Sequence, residues 1–140
     1  MSRCVQDILD ETNRDVEWIG PLESVFDALA QMNSRNVGAL LVQIDGYLVG
    51  ILSERDYVRK VILDHRASKI TKVSEIMTRE VITVHRNDSV LDCIELMRQH
   101  NFRHLPVVEE GQAVGIVSLR DLFVDVLAHS QQHNSVVALS

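Results

Sequence analysis

The chain has 140 residues, 24% of them charged, with 14 basic against 20 acidic side chains and a net charge of −6. That balance, with a pI near 5.4, argues against a nucleic-acid scaffold or a binder of anionic membranes, but it leaves room for an anionic small ligand held by a few local arginines. Neither a disulfide framework (two cysteines, Cys4 and Cys93) nor an apolar run of membrane-spanning length is present, so a reducing compartment, the cytoplasm, is expected.

In chain order, Val5 to Leu9 reads as a short lead-in helix and Val16 to Ile19 as a strand. Ser24 caps a helix through Val25, Ala28, Leu29 and Met32. Val37 to Ile44 and Tyr47 to Leu52 form a hairpin around Asp45-Gly46, a two-residue turn signal. Ser53 caps a helix carrying Tyr57, Val58, Val61 and Ile62. His65 to Thr71 is a polar linker, and Val73 to Met77 is a second lead-in helix. Val81 to Val84, rich in β-branched residues, reads as a strand. Ser89 then caps an amphipathic helix through Val90, Cys93, Ile94 and Met97 that ends at Asn101. Leu105 to Val108 and Ala113 to Val117 are strands, and Ser118 caps a last helix with Leu122, Phe123, Val126 and Leu127. The domains expected are 1–64 (first repeat with its lead-in helix), 65–72 (linker), 73–129 (second repeat) and a tail over 130–140.

This order is the same unit written twice. Gly50-Ile51-Leu52-Ser53-Glu54-Arg55-Asp56 returns as Gly115-Ile116-Val117-Ser118-Leu119-Arg120-Asp121, and the spacing holds back to Ser24 and Ser89. A duplication of this length means one structural unit built twice, so a second copy of any site on the shared motif is an open expectation.

Standing alone, Ser-x-x-Asp at a helix start is a capping box. Its context here adds a strand ending in Ser and an Arg beside the Asp. A helix start offers free N–H groups and partial positive charge to a phosphate, and an arginine fork can neutralise it. A carboxylate one turn in accepts from two adjacent ribose hydroxyls. Ser, Arg and Asp together therefore suit ribose plus phosphate, while adenine asks only for an apolar slot with backbone groups along its edge.

The duplicated Gly-h-h-Ser-x-Arg-Asp motif (h, apolar), with Val73-x-x-Ile-Met-Thr78, Val-Ile-Thr-Val at 81–84 and Arg-His-Leu-Pro-Val-Val at 103–108, resembles a tandem pair of cystathionine-β-synthase-type (CBS) domains, a Bateman module. The resemblance covers nearly the whole chain. It implies an α+β fold of two βαββα-like repeats related by a pseudo-two-fold axis with packed sheets, and a stand-alone regulatory module, not an enzyme. It implies adenosine ligands (AMP, ADP, ATP, NAD(H) or S-adenosylmethionine) in clefts that mix the two repeats. Carried over by motif, one site joins Ser118, Arg120, Asp121, Arg103 and His104 to Val16, Trp18, Val37 and Gly38. The other joins Ser53, Arg55, Asp56, Gly38 and Ala39 to Thr78, Ile82, Thr83 and the Phe102-Arg103 segment. It also implies a homodimer and a separate protein effector, since the chain has no effector domain.

The copies depart from each other. Asn13 stands where the second has Thr78, Trp18 where it has Thr83, and Gly38-Ala39 where it has Arg103-His104. The Asp56 site, with Thr78 and Thr83, is the better expectation for a mononucleotide, and both stay open. His104 is either a phosphate neighbour or a surface strand residue. Asp125, His129 and His133 share a helical face and read as a solvated helix end, not a metal site. A structural dimerisation module with empty clefts is the alternative function. An enzyme using a nicotinamide cosubstrate is a third reading; no nucleophile–base or phosphate-loop motif supports it.

Overall fold

A computed structural model describes residues 3–129; the tail expected over 130–140, His133 included, lies outside the described residues. The element order is α1 (Val5–Thr12), β1 (Trp18–Ile19), α2 (Val25–Arg35), β2 (Ala39–Ile44), β3 (Tyr47–Ser53), α3 (Glu54–Tyr57), a π-helical turn (Val58–Ile62), α4 (Val73–Ile76), α5 (Val90–His100), β4 (His104–Glu109), β5 (Gln112–Ser118) and α6 (Leu119–Ala128). The mixed helix and strand composition is the expected one. Among the described residues no helix is long and apolar enough to cross a membrane.

Local chemistry explains the duplicated elements. The Ser24 and Ser89 hydroxyls accept the N–H groups of Asp27 and Asp92, capping α2 and α5. Asn36 and Asn101 end the same helices in the left-handed region, at φ 55° and 57°, which asparagine tolerates well. Both hairpin turns place two consecutive residues at positive φ, Asp45-Gly46 and Glu110-Gly111. That is the turn whose twist matches the strands it joins.

Two compact units result. One holds Asp15–Ile82 with Glu110–Ala113; the other gathers the chain up to Arg14, Thr83–Glu109 and the segment from Val114. In the first, β1 runs parallel to β2 and β2 antiparallel to β3. Its core is Ile19, Val25, Ala28, Met32, Leu40, Val42, Leu52, Val61, Val73, Ile76 and Met77. The second unit contains the paired β4 and β5 over most of their length, with α1, α5 and α6. Cys93 and Met97 are buried there, as their helical spacing predicts.

The units cut across the sequence repeats. Helix α1 precedes the first repeat, yet Val5 donates its N–H to Asp88 O and Val90 donates to Arg3 O, at 2.9 and 3.1 Å. Reciprocally, Val73 donates to Glu23 O and Val25 to Thr71 O, each at 2.8 Å, so α4 joins the first repeat.

The structure corrects four expectations. The strand expected over Val16 to Ile19 is only Trp18–Ile19. Of the strand expected over Val81 to Val84 only Val84 pairs, bridging Val107, because Val81 turns its N–H back to Arg79 O. The helix after Ser53 is not uniform: Leu63 donates to Val58 O, five residues back, whereas its counterpart α6 is regular. Asp125 is not on a solvated helix end; it is 4% exposed and paired with Arg3 (Nη2 to Oδ1, 2.7 Å).

Candidate functional site

In the first unit, β3 delivers Ser53 to the start of α3. The Ser53 Oγ accepts the Asp56 N–H at 3.2 Å, and Asp56 Oδ2 accepts the Ser53 N–H at 3.0 Å, closing the capping box. Ala39 pairs with Ser53 across the sheet, and Glu54 donates its N–H to Gly38 O at 3.0 Å. The expected group Gly38, Ala39, Ser53 and Asp56 is thus assembled on adjoining backbone.

The second unit repeats the device. Asp121 Oδ2 accepts the Ser118 N–H at 2.9 Å, Ser118 Oγ accepts the Asp121 N–H at 3.0 Å, and Leu119 donates to Arg103 O at 2.8 Å. The capping reading of Ser-x-x-Asp is therefore correct for both copies. It does not exhaust them, because each carboxylate keeps further acceptor positions.

Those positions are used differently. Asp56 Oδ1 accepts the Thr78 hydroxyl at 3.2 Å and meets the Lys60 ammonium at 3.2 Å. Thr78 is itself fixed by two backbone bonds with Ile51, at 2.9 and 3.0 Å. Lys60 also donates to Ile76 O at 2.9 Å, within the π-helical turn. At Asp121 the partner is Arg14, whose Nη2 lies 2.5 Å from Oδ2. Asp121, Arg103 and Arg14 all lie within electrostatic reach of the His104 imidazole. Burial holds the His104 imidazole below its ordinary pKa, the charges of Arg103 and Arg14 lower it further, and Asp121 acts in the opposite sense.

The other expected residues range from half-buried to exposed. Trp18 is 53% exposed on β1, and Val16 and Val37 are half-buried. Ile82 is half-buried in the first unit, and Thr83 is exposed in the second. Phe102 stacks on His100 with ring centroids 6.0 Å apart; Arg120 is exposed and Arg55 half-buried.

The sequence reading missed Lys60 and Arg14. Lys60 follows Asp56 by four residues, a spacing that brings side chains together on a helix. Arg14 carried no such signal, because Asn13, at φ 45°, turns the chain just before it. The alignment of Asn13 with Thr78 also fails at the contact level. Leu9 faces Gly115 where Met77 faces Gly50, so the lead-in helices are offset by more than the constant repeat spacing. The cause is α1, which is four residues longer than α4.

Among the described residues one group has metal-ligand geometry: Glu11, Asp125 and His129 place ligand atoms within 4.8 Å of one another. A cation already stands there, since Arg3 bonds both Asp125 and Glu11.

The fold and the paired motifs define a duplicated α+β module whose two helix starts each carry a Ser-capped carboxylate. The CBS domain model matches residues 5–63 and 73–127. The chain belongs to the CBS-domain family, as a tandem pair. It is 38% identical over 130 residues to the mitochondrial CBS domain-containing protein CBSX3 of Arabidopsis thaliana, covering 86% of this chain but 63% of that protein's length. It is 32% identical to the CBS domain-containing protein YhcV of Bacillus subtilis (strain 168), over 95% of this chain and 94% of that protein. The crystal structure of the CBS domain protein NE2398 superposes with a TM-score of 0.86 at 43% identity, covering 91% of this chain and 99% of that one. Proteins built on CBS pairs are generally regulatory, ligand-sensing modules.

Proposed function

We propose that this protein is a regulatory adenine-nucleotide sensor that binds AMP, ADP, ATP or NAD(H) through the carboxylates of its two Ser-x-Arg-Asp helix starts and passes the signal to a separate protein effector in the cytoplasm. The observation that carries this reading is the Asp121 cluster, one carboxylate for ribose hydroxyls beside Arg14, Arg103 and His104 for phosphate. A ligand shifts a two-state equilibrium only by its difference in affinity for the two states, so the output depends on which arrangement the nucleotide prefers. No residue is assigned a catalytic role.

The test is titration calorimetry of the full chain with AMP, ATP, NAD and NADH. Because both aspartates also cap helices, the informative variants are Asp56→Asn and Asp121→Asn, checked for retained fold. Losing a charge-assisted contact at the occupied site weakens binding by about 2–3 kcal/mol, roughly 30- to 150-fold. No heat from any of the four ligands with folded, ligand-free protein rejects the reading.

A specific observation supports a second reading, a structural dimerisation module. Both repeats expose large apolar side chains at corresponding positions: Phe26 and Leu91, Val58 and Phe123, Ile62 and Leu127. Such surfaces favour association. A structural neighbour at 27% identity and TM-score 0.80 is a hexameric CBS-CP12 protein. A homodimer, read by sedimentation, is expected under both readings; under the second its stability is indifferent to nucleotide.

A further inference from the structure

The two motif carboxylates are unequally committed. Asp56 has both oxygens engaged, Oδ2 by the Ser53 N–H and hydroxyl, Oδ1 by Thr78 and Lys60. Asp121 receives the Ser118 N–H and Arg14 on the single oxygen Oδ2. Its side chain retains 12% exposure.

Arg14 is the contrasting element. Its side chain is 44% exposed and its link to Asp121 is a single nitrogen–oxygen contact. Thr78, by comparison, is pinned by its own backbone bonds. An exposed single-point ion pair contributes little net stability, so exchanging it is cheap. A guanidinium released beside Arg103 and His104 is drawn to an incoming phosphate, which it matches with a planar fork.

Resting on the nucleotide reading above, we propose that Arg14 is an exchangeable guard on Asp121 that makes the second repeat's site selective for phosphorylated nucleosides over bare ones. A ribose diol reaching Asp121 displaces Arg14. A 5′-phosphate gives Arg14 a new partner, whereas a neutral nucleoside leaves it only water. Arg14 therefore opposes adenosine and assists AMP. At Asp56 the role of Arg14 falls to a fixed hydroxyl, and that carboxylate braces Ser53, Thr78 and Lys60 together.

The experiment is calorimetric titration of the full-length chain with AMP and with adenosine, using wild type, Arg14→Ala and Arg14→Lys. Arg14→Ala is expected to weaken AMP about tenfold and to leave adenosine binding unchanged or a few-fold tighter, collapsing the AMP-to-adenosine ratio by about tenfold or more. Arg14→Lys, which keeps the charge but not the fork, is expected to restore part of that ratio. An equal effect of Arg14→Ala on both ligands, with the fold retained by circular dichroism, overturns the guard while leaving the nucleotide reading intact. Loss of AMP binding in Asp56→Asn but not in Asp121→Asn also overturns it. No binding of either ligand to wild type overturns the guard, and the nucleotide reading falls with it only if ATP, NAD and NADH are silent as well.

Discussion

The sulfur of Met77 lies 2.7 Å from where a Cβ on Gly50 would be, with the carbonyl oxygen of Thr78 3.0 Å away. Glycine at 50 is what lets the α4 segment close onto β3 and present Thr78 to Asp56. At the corresponding Gly115 a Cβ would meet the side-chain tip of Leu9 at 2.7 Å, and its three nearest neighbours all belong to the Leu9 side chain. Overpacking against backbone is harder to relieve than against a flexible side chain. Gly50→Ala is expected to lower unfolding free energy by about 2–3 kcal/mol, and Gly115→Ala by about 1 kcal/mol. Urea denaturation of both variants checks the order; equal losses refute the argument.

Arg3 makes two bonds to the buried Asp125, from Nε at 3.2 Å and Nη2 at 2.7 Å, and one to Glu11. Removing one member of such a pair strands the other charge. Arg3→Ala is expected to cost about 3 kcal/mol, more than the double variant Arg3→Ala with Asp125→Leu. A double-mutant cycle by thermal unfolding measures the difference. Additive losses in the two single variants would show that the two side chains do not act as a pair.

The two cysteines differ in reactivity. Burial, and secondarily the charges of Asp88 and Asp92, push the Cys93 thiol up to about 12, so almost no thiolate exists at neutral pH and reagents cannot reach it. Cys4 is partly exposed. A chromogenic disulfide reagent at pH 8 is expected to titrate one thiol per native chain and two in denaturant. Rapid titration of both thiols in the native protein would place Cys93 at an opening segment.

His104 has its folded-state pKa held down, first by burial and then by Arg103 and Arg14. The unfolded chain therefore binds the proton more readily than the folded one. Stability supplied by neutral His104 is fully present above the ordinary histidine pKa and is lost as pH falls from there through the depressed folded value. His104→Gln is expected to flatten that part of the stability profile, measured by denaturant unfolding between pH 5 and about 7.5. An anionic ligand beside Arg103 and Arg14 raises the same pKa, so AMP binding near pH 6 is expected to take up protons. Calorimetry in two buffers of different ionisation enthalpy detects this, and a buffer-independent heat contradicts it.

Much of the architecture was legible because the information is local. Serine caps, asparagine ends and the Asp45-Gly46 turn fix their elements within a few residues, and their second appearance doubled the signal. The strand over Val81 to Val84 was misjudged because β-branched composition reports a propensity, not a partner. Lys60 was readable by its helical spacing from Asp56. The ion pairs Arg14–Asp121 and Arg3–Asp125 were not, since each joins residues more than a hundred positions apart. The π-helical turn at Val58 to Ile62 has no sequence signal that we can identify.

The reciprocal placement of α1 and α4 has a consequence for how this chain is divided. Severing it between residues 64 and 73 would not release two finished halves. Each fragment would carry off the helix that completes the other, as two garments would if their sleeves had been exchanged. Neither piece alone would close its core, while the two together contain every strand and helix that both cores need.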